Sequence, residues 1–239
     1  LRLGLTLGSE DTRLQLPEVV VLPVFGRRAA IELLLFSTGG VAEIRRATDT
    51  PTVFTDQLAE MVNEFVDDLA ERTSWPGRDA PAVCLLDTGV NRGHPLIEPA
   101  LAPADMHAVA SEWGVDDHSD IGHGSGMAGL AMHGDLTARL GDASRPTLRH
   151  RLESVKILPP DGFDPNDPFS YGAITTSAAS LPEISAPDRA RVYCMAITNE
   201  DRSGAEPTGW SSALDQISSG TDAIDEGPDH IRRLFVQAL

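Results

Sequence analysis

Apolar side chains recur at Leu58, Met61, Val62, Phe65, Val66 and Leu69, the offsets 0, 3, 4, 7, 8 and 11 of one helical face. Glu60, Glu64, Asp67 and Asp68 fall on the opposite, solvated face, and Thr55 or Asp56 can cap the start. Upstream, Arg2 to Leu7 and Glu18 to Leu22 are candidate strands, Arg27 to Phe36 a short helix closed by Gly39-Gly40, and Val41 to Arg46 a weaker strand. Trp75-Pro76-Gly77-Arg78-Asp79 has the composition of a linker. From Pro81 onward the pattern changes to strands alternating with helices. Ala82 to Leu86, Ser154 to Leu158, Arg191 to Ile197 and the stretch from Leu234 read as strands; the stretch after His123, Tyr171 to Ser180 and Pro207 to Ser218 read as helices. This alternation predicts βαβ units, hence an α/β fold with a mostly parallel sheet and flanking helices. It is preceded by a small α+β unit over residues 1–78, which leaves 79–239 as the second domain.

Composition narrows the partners. The 239 residues carry 19 basic and 36 acidic side chains, a net charge of −17. That balance argues against a phosphate backbone, so no nucleic acid is expected, and it reads otherwise as a solubilising surface. The 41% apolar fraction fits a folded chain, and no apolar run reaches the roughly 18 residues of a membrane span, so no membrane partner is expected. Lys156 is the single lysine among the basic residues. Cys84 and Cys194 both sit in apolar strand-like runs and are expected as buried, reduced thiols. The absence of a signal-peptide pattern at Leu1 favours a cytoplasmic, reducing location.

In a parallel sheet, functional groups collect at the carboxyl ends of strands. Asp87 closes the apolar run Ala82 to Leu86 and is followed by Thr88-Gly89; it is a fixed carboxylate. His123 lies in Gly122-His123-Gly124-Ser125-Gly126-Met127-Ala128-Gly129 at the start of a helix whose small residues suit close packing. A carboxylate on one imidazole nitrogen selects the tautomer and stabilises the imidazolium formed when the other nitrogen takes a proton. Serine attack on a carbonyl needs such a base, because a free hydroxyl is a poor nucleophile near neutral pH.

Cys84-Leu-Leu-Asp87-Thr-Gly-Val-Asn91-Arg-Gly-His94-Pro95-Leu96 resembles the aspartate motif of the subtilisin-like serine proteases. The Gly122 to Gly129 stretch resembles their histidine motif, with serine where threonine is commoner. Order and separation match as well, and the resemblance covers about residues 80–239. It implies peptide-bond hydrolysis through an acyl-enzyme, with Asp87 as the orienting carboxylate and His123 as general base and acid. It implies protein or peptide substrates held as extended strands against the stretch after Leu158, at Pro159, and against Thr198 and Asn199. No cofactor and no metal is expected: calcium, common in secreted relatives, has no clear ligand set in this sequence. Oligomeric state is not read from it. His94 is expected to tether the loop after Asp87.

The family's nucleophile lies in a Gly-Thr-Ser-x-Ala-x-Pro stretch, and none occurs in these 239 residues. Thr176-Ser177-Ala178-Ala179 lacks the leading glycine and comes too early in the strand order. The expectation is therefore a fragment of a longer protease that carries two thirds of a triad and does not cleave peptides by itself. One alternative is a protease-like module that binds peptides without hydrolysing them. Another is metal-dependent hydrolysis through the dense carboxylates and imidazoles of Asp116-Asp117-His118-Ser119-Asp120-Ile121-Gly122-His123, whose spacing matches no helical ligand pair. Residues 1–78 have the size of a prodomain or of a permanent recruitment domain.

Overall fold

A computed structural model describes residues 4–47, 51–56, 59–198, 206–221 and 232–237. The chain falls into two compact units, Leu1–Thr50 and Pro51–Leu239. The first carries the short strands β1 (Thr6–Leu7), β2 (Leu14–Gln15), β3 (Val20–Val21) and β4 (Val24–Phe25), and helix α1 (Arg28–Ser37). Strand β1 pairs antiparallel with β4, and β2 with β3. The expected strand over Val41 to Arg46 is irregular chain. Among the described residues no strand pairs with it, and a lone strand does not hold in water; Glu43 and Arg45 instead pair side by side at 2.6 Å.

The second unit runs α2 (Thr52–Thr55), α3 (Ala59–Arg72), β5 (Ala82–Asp87), β6 (Met106–Ala108), α4 (His123–His133), α5 (Leu136–Leu140), β7 (Arg151–Lys156), α6 (Tyr171–Ser185), β8 (Arg191–Met195), α7 (Gly209–Ser219) and β9 (Leu234–Gln237). Its five strands form one parallel sheet in the order β6-β7-β5-β8-β9. The fold is α/β, a parallel sheet flanked by helices, as the alternation predicts. No described helix is long and apolar enough to cross a membrane.

Because successive strand residues point to opposite faces, the sheet divides its core in two. Cys84, Leu86, Val155, Tyr193 and Met195 pack with Ala178 and Ala179 of α6 and Ile217 of α7. Leu85 and Leu152 pack on the other face with Ala128 and Met132 of α4. The same period separates the cysteines. Leu85 is the register partner of Cys194, so Cys84 and Cys194 belong to opposite faces, and both are free thiols. Cys84 is buried and Cys194 partly so; burial pushes both thiols up, Cys84 furthest.

Strand β7 begins at Arg151, three residues before the apolar run starts, because its charged residues are hidden rather than exposed. Glu153 is 1% exposed and accepts from Arg189 at 2.7 Å and from Arg191 at 2.9 and 3.1 Å. Asp105 accepts from Arg151 at 3.0 Å and from Arg189 at 2.8 Å. Helix α6 likewise outruns its expected end, passing through Pro182 to Ser185. Carbonyls of its last turns find other donors: Ala179 accepts from the Tyr193 hydroxyl at 2.8 Å, while Pro182 and Ala186 accept from Arg191 at 3.0 and 2.9 Å. That guanidinium also complements the negative end of the helix.

The amphipathic helix read from Leu58 to Leu69 is α3, with Leu58 itself outside the described residues, and its apolar stripe is used in part: Val66 and Leu69 bury against Leu96, while Met61 and Phe65 are exposed. Trp75, expected in a linker, donates its indole N–H to Ala70 O at 3.2 Å and meets the His133 ring edge-on at 5.9 Å. Ser74 bridges Thr147 in parallel.

Candidate active site

The site lies at the carboxyl end of the sheet, where β5, β7 and β8 release the chain. Asp87 is the last residue of β5, in register with Lys156 at the end of β7. Its carboxylate is 2% exposed. His123 opens α4 after Gly122, whose left-handed φ of +64° turns the chain into the helix. His123 Nδ1 lies 2.8 Å from Asp87 Oδ1. That oxygen also accepts the Thr88 backbone N–H at 2.7 Å. The His123 side chain is 37% exposed, and among the described residues its Nε2 has no hydrogen-bond partner.

Two glycines permit this approach. A Cβ on Gly124 would overlap the Gly89 carbonyl oxygen. Gly89 itself has φ +99°, and a Cβ there would stand 2.5 Å from the Asp116 carbonyl oxygen. The turn after Asp87, the acidic loop and the first turn of α4 therefore pack backbone against backbone. Gly126, also expected in close packing, faces open space.

The acidic loop folds inward at Asp117. Its Oδ1 accepts the Thr88 hydroxyl at 2.7 Å and the Ser119 N–H at 3.0 Å; its Oδ2 accepts the Ser125 N–H at 2.8 Å and the Ser125 hydroxyl at 2.7 Å. Burial opposes its charge, yet these bonds outweigh that cost and hold the carboxyl below its ordinary value. His118 Nδ1 sits 3.0 Å from Thr88 O. Lys156 is 2% exposed and donates to Trp113 O at 3.1 Å. Burial lowers its pKa against the pull of Asp116 and Asp117.

Among the described residues no three His, Cys, Asp or Glu side chains converge to hold a metal ion. In the stretch Asp116 to His123, the oxygens of Asp117 and the Nδ1 atoms of both histidines already have partners. Pro159 follows β7 and Thr198 follows β8, so both lie at the same sheet end as Asp87; Asn199 lies outside the described residues. His94 Nδ1 accepts the Leu96 N–H at 3.2 Å within the loop after Asp87.

The model of the subtilase family, peptidase S8, matches residues 78–239. The chain belongs to the subtilase family. No similar curated protein and no similar solved structure was found. Subtilases are serine proteases, so a peptidase domain acting on protein or peptide substrates is the family reading of this sheet and its carboxyl end. Thr88, Asp117 and Ser125 carry structural weight at this end that the sequence reading did not assign them. The spacing Asp117 to Ser119, an Asx turn in which the carboxylate accepts the N–H two residues on, is the local signal that points to an ordered carboxylate there.

Proposed function

We propose that Asp87 and His123 are the carboxylate and the general acid–base of a subtilisin-like serine endopeptidase, and that the serine comes from outside these 239 residues. The observation that carries this reading is the 2.8 Å bond between His123 Nδ1 and buried Asp87 in a chain of the subtilase family. Asp87 accepts the Nδ1 proton and so leaves the basic lone pair on Nε2 of a partly exposed ring. There it can take the proton of a serine hydroxyl during attack on the scissile carbonyl, then return that proton to the leaving amine. Peptide substrate would lie extended against the chain after β7 and β8, at Pro159, Thr198 and Asn199, held through backbone hydrogen bonds.

No Gly-Thr-Ser-x-Ala-x-Pro stretch occurs in the sequence, so the 239-residue chain should not form an acyl-enzyme. A fluorophosphonate probe tests both statements. The 239-residue chain should remain unlabelled; robust labelling would overturn the missing-serine reading. The longer gene product should label and hydrolyse peptides, and Asp87→Asn should lower its kcat by about 10⁴-fold. A longer product that holds peptides without labelling would favour the binding-module alternative. Residues 1–78 precede the family match and would act as a prodomain or as a recruitment unit, but residues 59–75 pack on the matched part, so a separable piece would lie within Leu1–Thr50. Intact mass after activation separates the two.

A further inference from the structure

Two hydroxyls cross-link the segments that carry Asp87 and His123, and they do so reciprocally. The Thr88 hydroxyl, on the Asp87 side, accepts the Gly124 backbone N–H at 3.1 Å. The Ser125 hydroxyl, on the His123 side, accepts the Asn91 backbone N–H at 2.9 Å. A hydroxyl has one proton and two acceptor lone pairs, so engaging that proton elsewhere stops the rotor and aims the lone pairs at the backbone N–H. Both protons point to Asp117, at 2.7 Å each. Thr88 Oγ1 also stands 3.2 Å from Asp87 Oδ1, but its one proton is better placed toward Asp117. Asp117 in addition takes the Ser125 N–H, one of the orphan donors in the first turn of α4.

We propose that Asp117 is a positioning residue for the Asp87–His123 pair: by accepting both hydroxyl protons it sets the Thr88–Gly124 and Ser125–Asn91 latches that hold His123 against Asp87. This rests on the reading of Asp87 and His123 as a functional pair. The loop that carries Asp117 is itself anchored from the sheet, through Lys156 to Trp113 O. Only a carboxylate suits the position. Each oxygen of Asp117 accepts one hydroxyl and one backbone N–H, Thr88 and Ser119 at Oδ1 and both groups of Ser125 at Oδ2. Whichever way an asparagine is turned, its NH₂ meets one of those backbone donors head-on and no longer accepts that hydroxyl's proton, so the latch on that side is released.

The test is the His123 Nδ1 proton, followed by NMR in the 239-residue chain through its downfield resonance and its exchange with solvent. In D117N this proton should exchange about tenfold faster, the scale of losing one charge-assisted hydrogen bond. T88V and S125A, which remove one hydroxyl each and leave the charge, should accelerate exchange as well, whereas T88S should restore the original rate. In a T88V/S125A background, D117N should add less than about twofold, because no hydroxyl is left for it to orient. A D117N chain that melts earlier but exchanges at the original rate would make Asp117 a stabilising residue only and overturn the proposal. So would unchanged exchange in T88V and S125A, or an undiminished D117N effect in the double background. Asp87→Asn separates the underlying reading: it should abolish the protected proton, and if it does not, the Asp87–His123 pair itself is wrong.

Discussion

The two ends of the parallel sheet both carry charge that is largely hidden from water, and they finish it in opposite ways. Toward the strand starts, Glu153 and Asp105 share Arg151, Arg189 and Arg191 in a network in which each carboxylate meets two guanidinium groups. Toward the strand ends, Asp87 and Asp117 also accept several donors, but the chain of bonds stops at the imidazole of His123, whose Nε2 has no partner among the described residues. In the first arrangement both carboxylates are paired and buried, and Arg151 Nε, though without a partner, is itself buried, so none of these groups is offered to solvent. The second ends at the partly exposed His123 ring, and on the function proposed above that ring is where chemistry occurs. Rigid support up to a single open atom separates a site from a structural ion network built from the same residue types.

Removal of one member from each end should break the symmetry. The largest effect is expected from Glu153→Gln, which leaves buried guanidinium charge uncompensated; a loss of about 3–5 kcal/mol is expected, read as a lowered urea midpoint. His123→Ala should instead change stability by no more than about 1 kcal/mol, since its ring is partly exposed and Asp87 keeps the Thr88 N–H. Equal costs at the two ends would erase the distinction.

Between these lies a pH effect. Burial holds His107 and His133 below their ordinary value of 6.5, and each has a buried ring nitrogen without a hydrogen-bond partner. The unfolded chain takes up protons at these rings before the folded chain does, so stability falls as pH drops below 6.5. The melting temperature should therefore decline by a few degrees, on the order of 2–4 °C, between pH 7 and 5, and His107→Gln with His133→Gln should flatten the decline.

Strand β5 and the Asp87 turn were legible because an apolar run ending in Asp-Thr-Gly has few other uses, and His123 because its neighbours are so small. Strand β7 was only half legible. Arg151 and Glu153 look solvent-facing in sequence, and their burial is made tolerable by partners distant in the chain: Arg189 and Arg191, 36 and 38 residues downstream, for Glu153, and Asp105, 46 residues upstream, for Arg151. Asp117 was hidden for the same reason. Among Asp116, His118 and Asp120 it resembles any member of a polar loop, and its distinction comes from Thr88 and Ser125, which are brought to it by the fold. Charges whose partners are distant in sequence are what one-dimensional patterning cannot resolve, whereas apolar periodicity needs no partner to be visible.

Helix α3 gives the family boundary a practical meaning. The match to subtilases starts at residue 78, but Leu69 is fully buried and Trp75 lies against His133. A recombinant domain cut to the matched residues would lose this strap and expose Leu96 and the His133 ring to water. Any maturation cut near Trp75 faces the same obstacle: the severed segment would have to be peeled from the core before it could leave. Residues 59–75 are thus better regarded as part of what must be expressed, purified and kept than as a leader to be discarded.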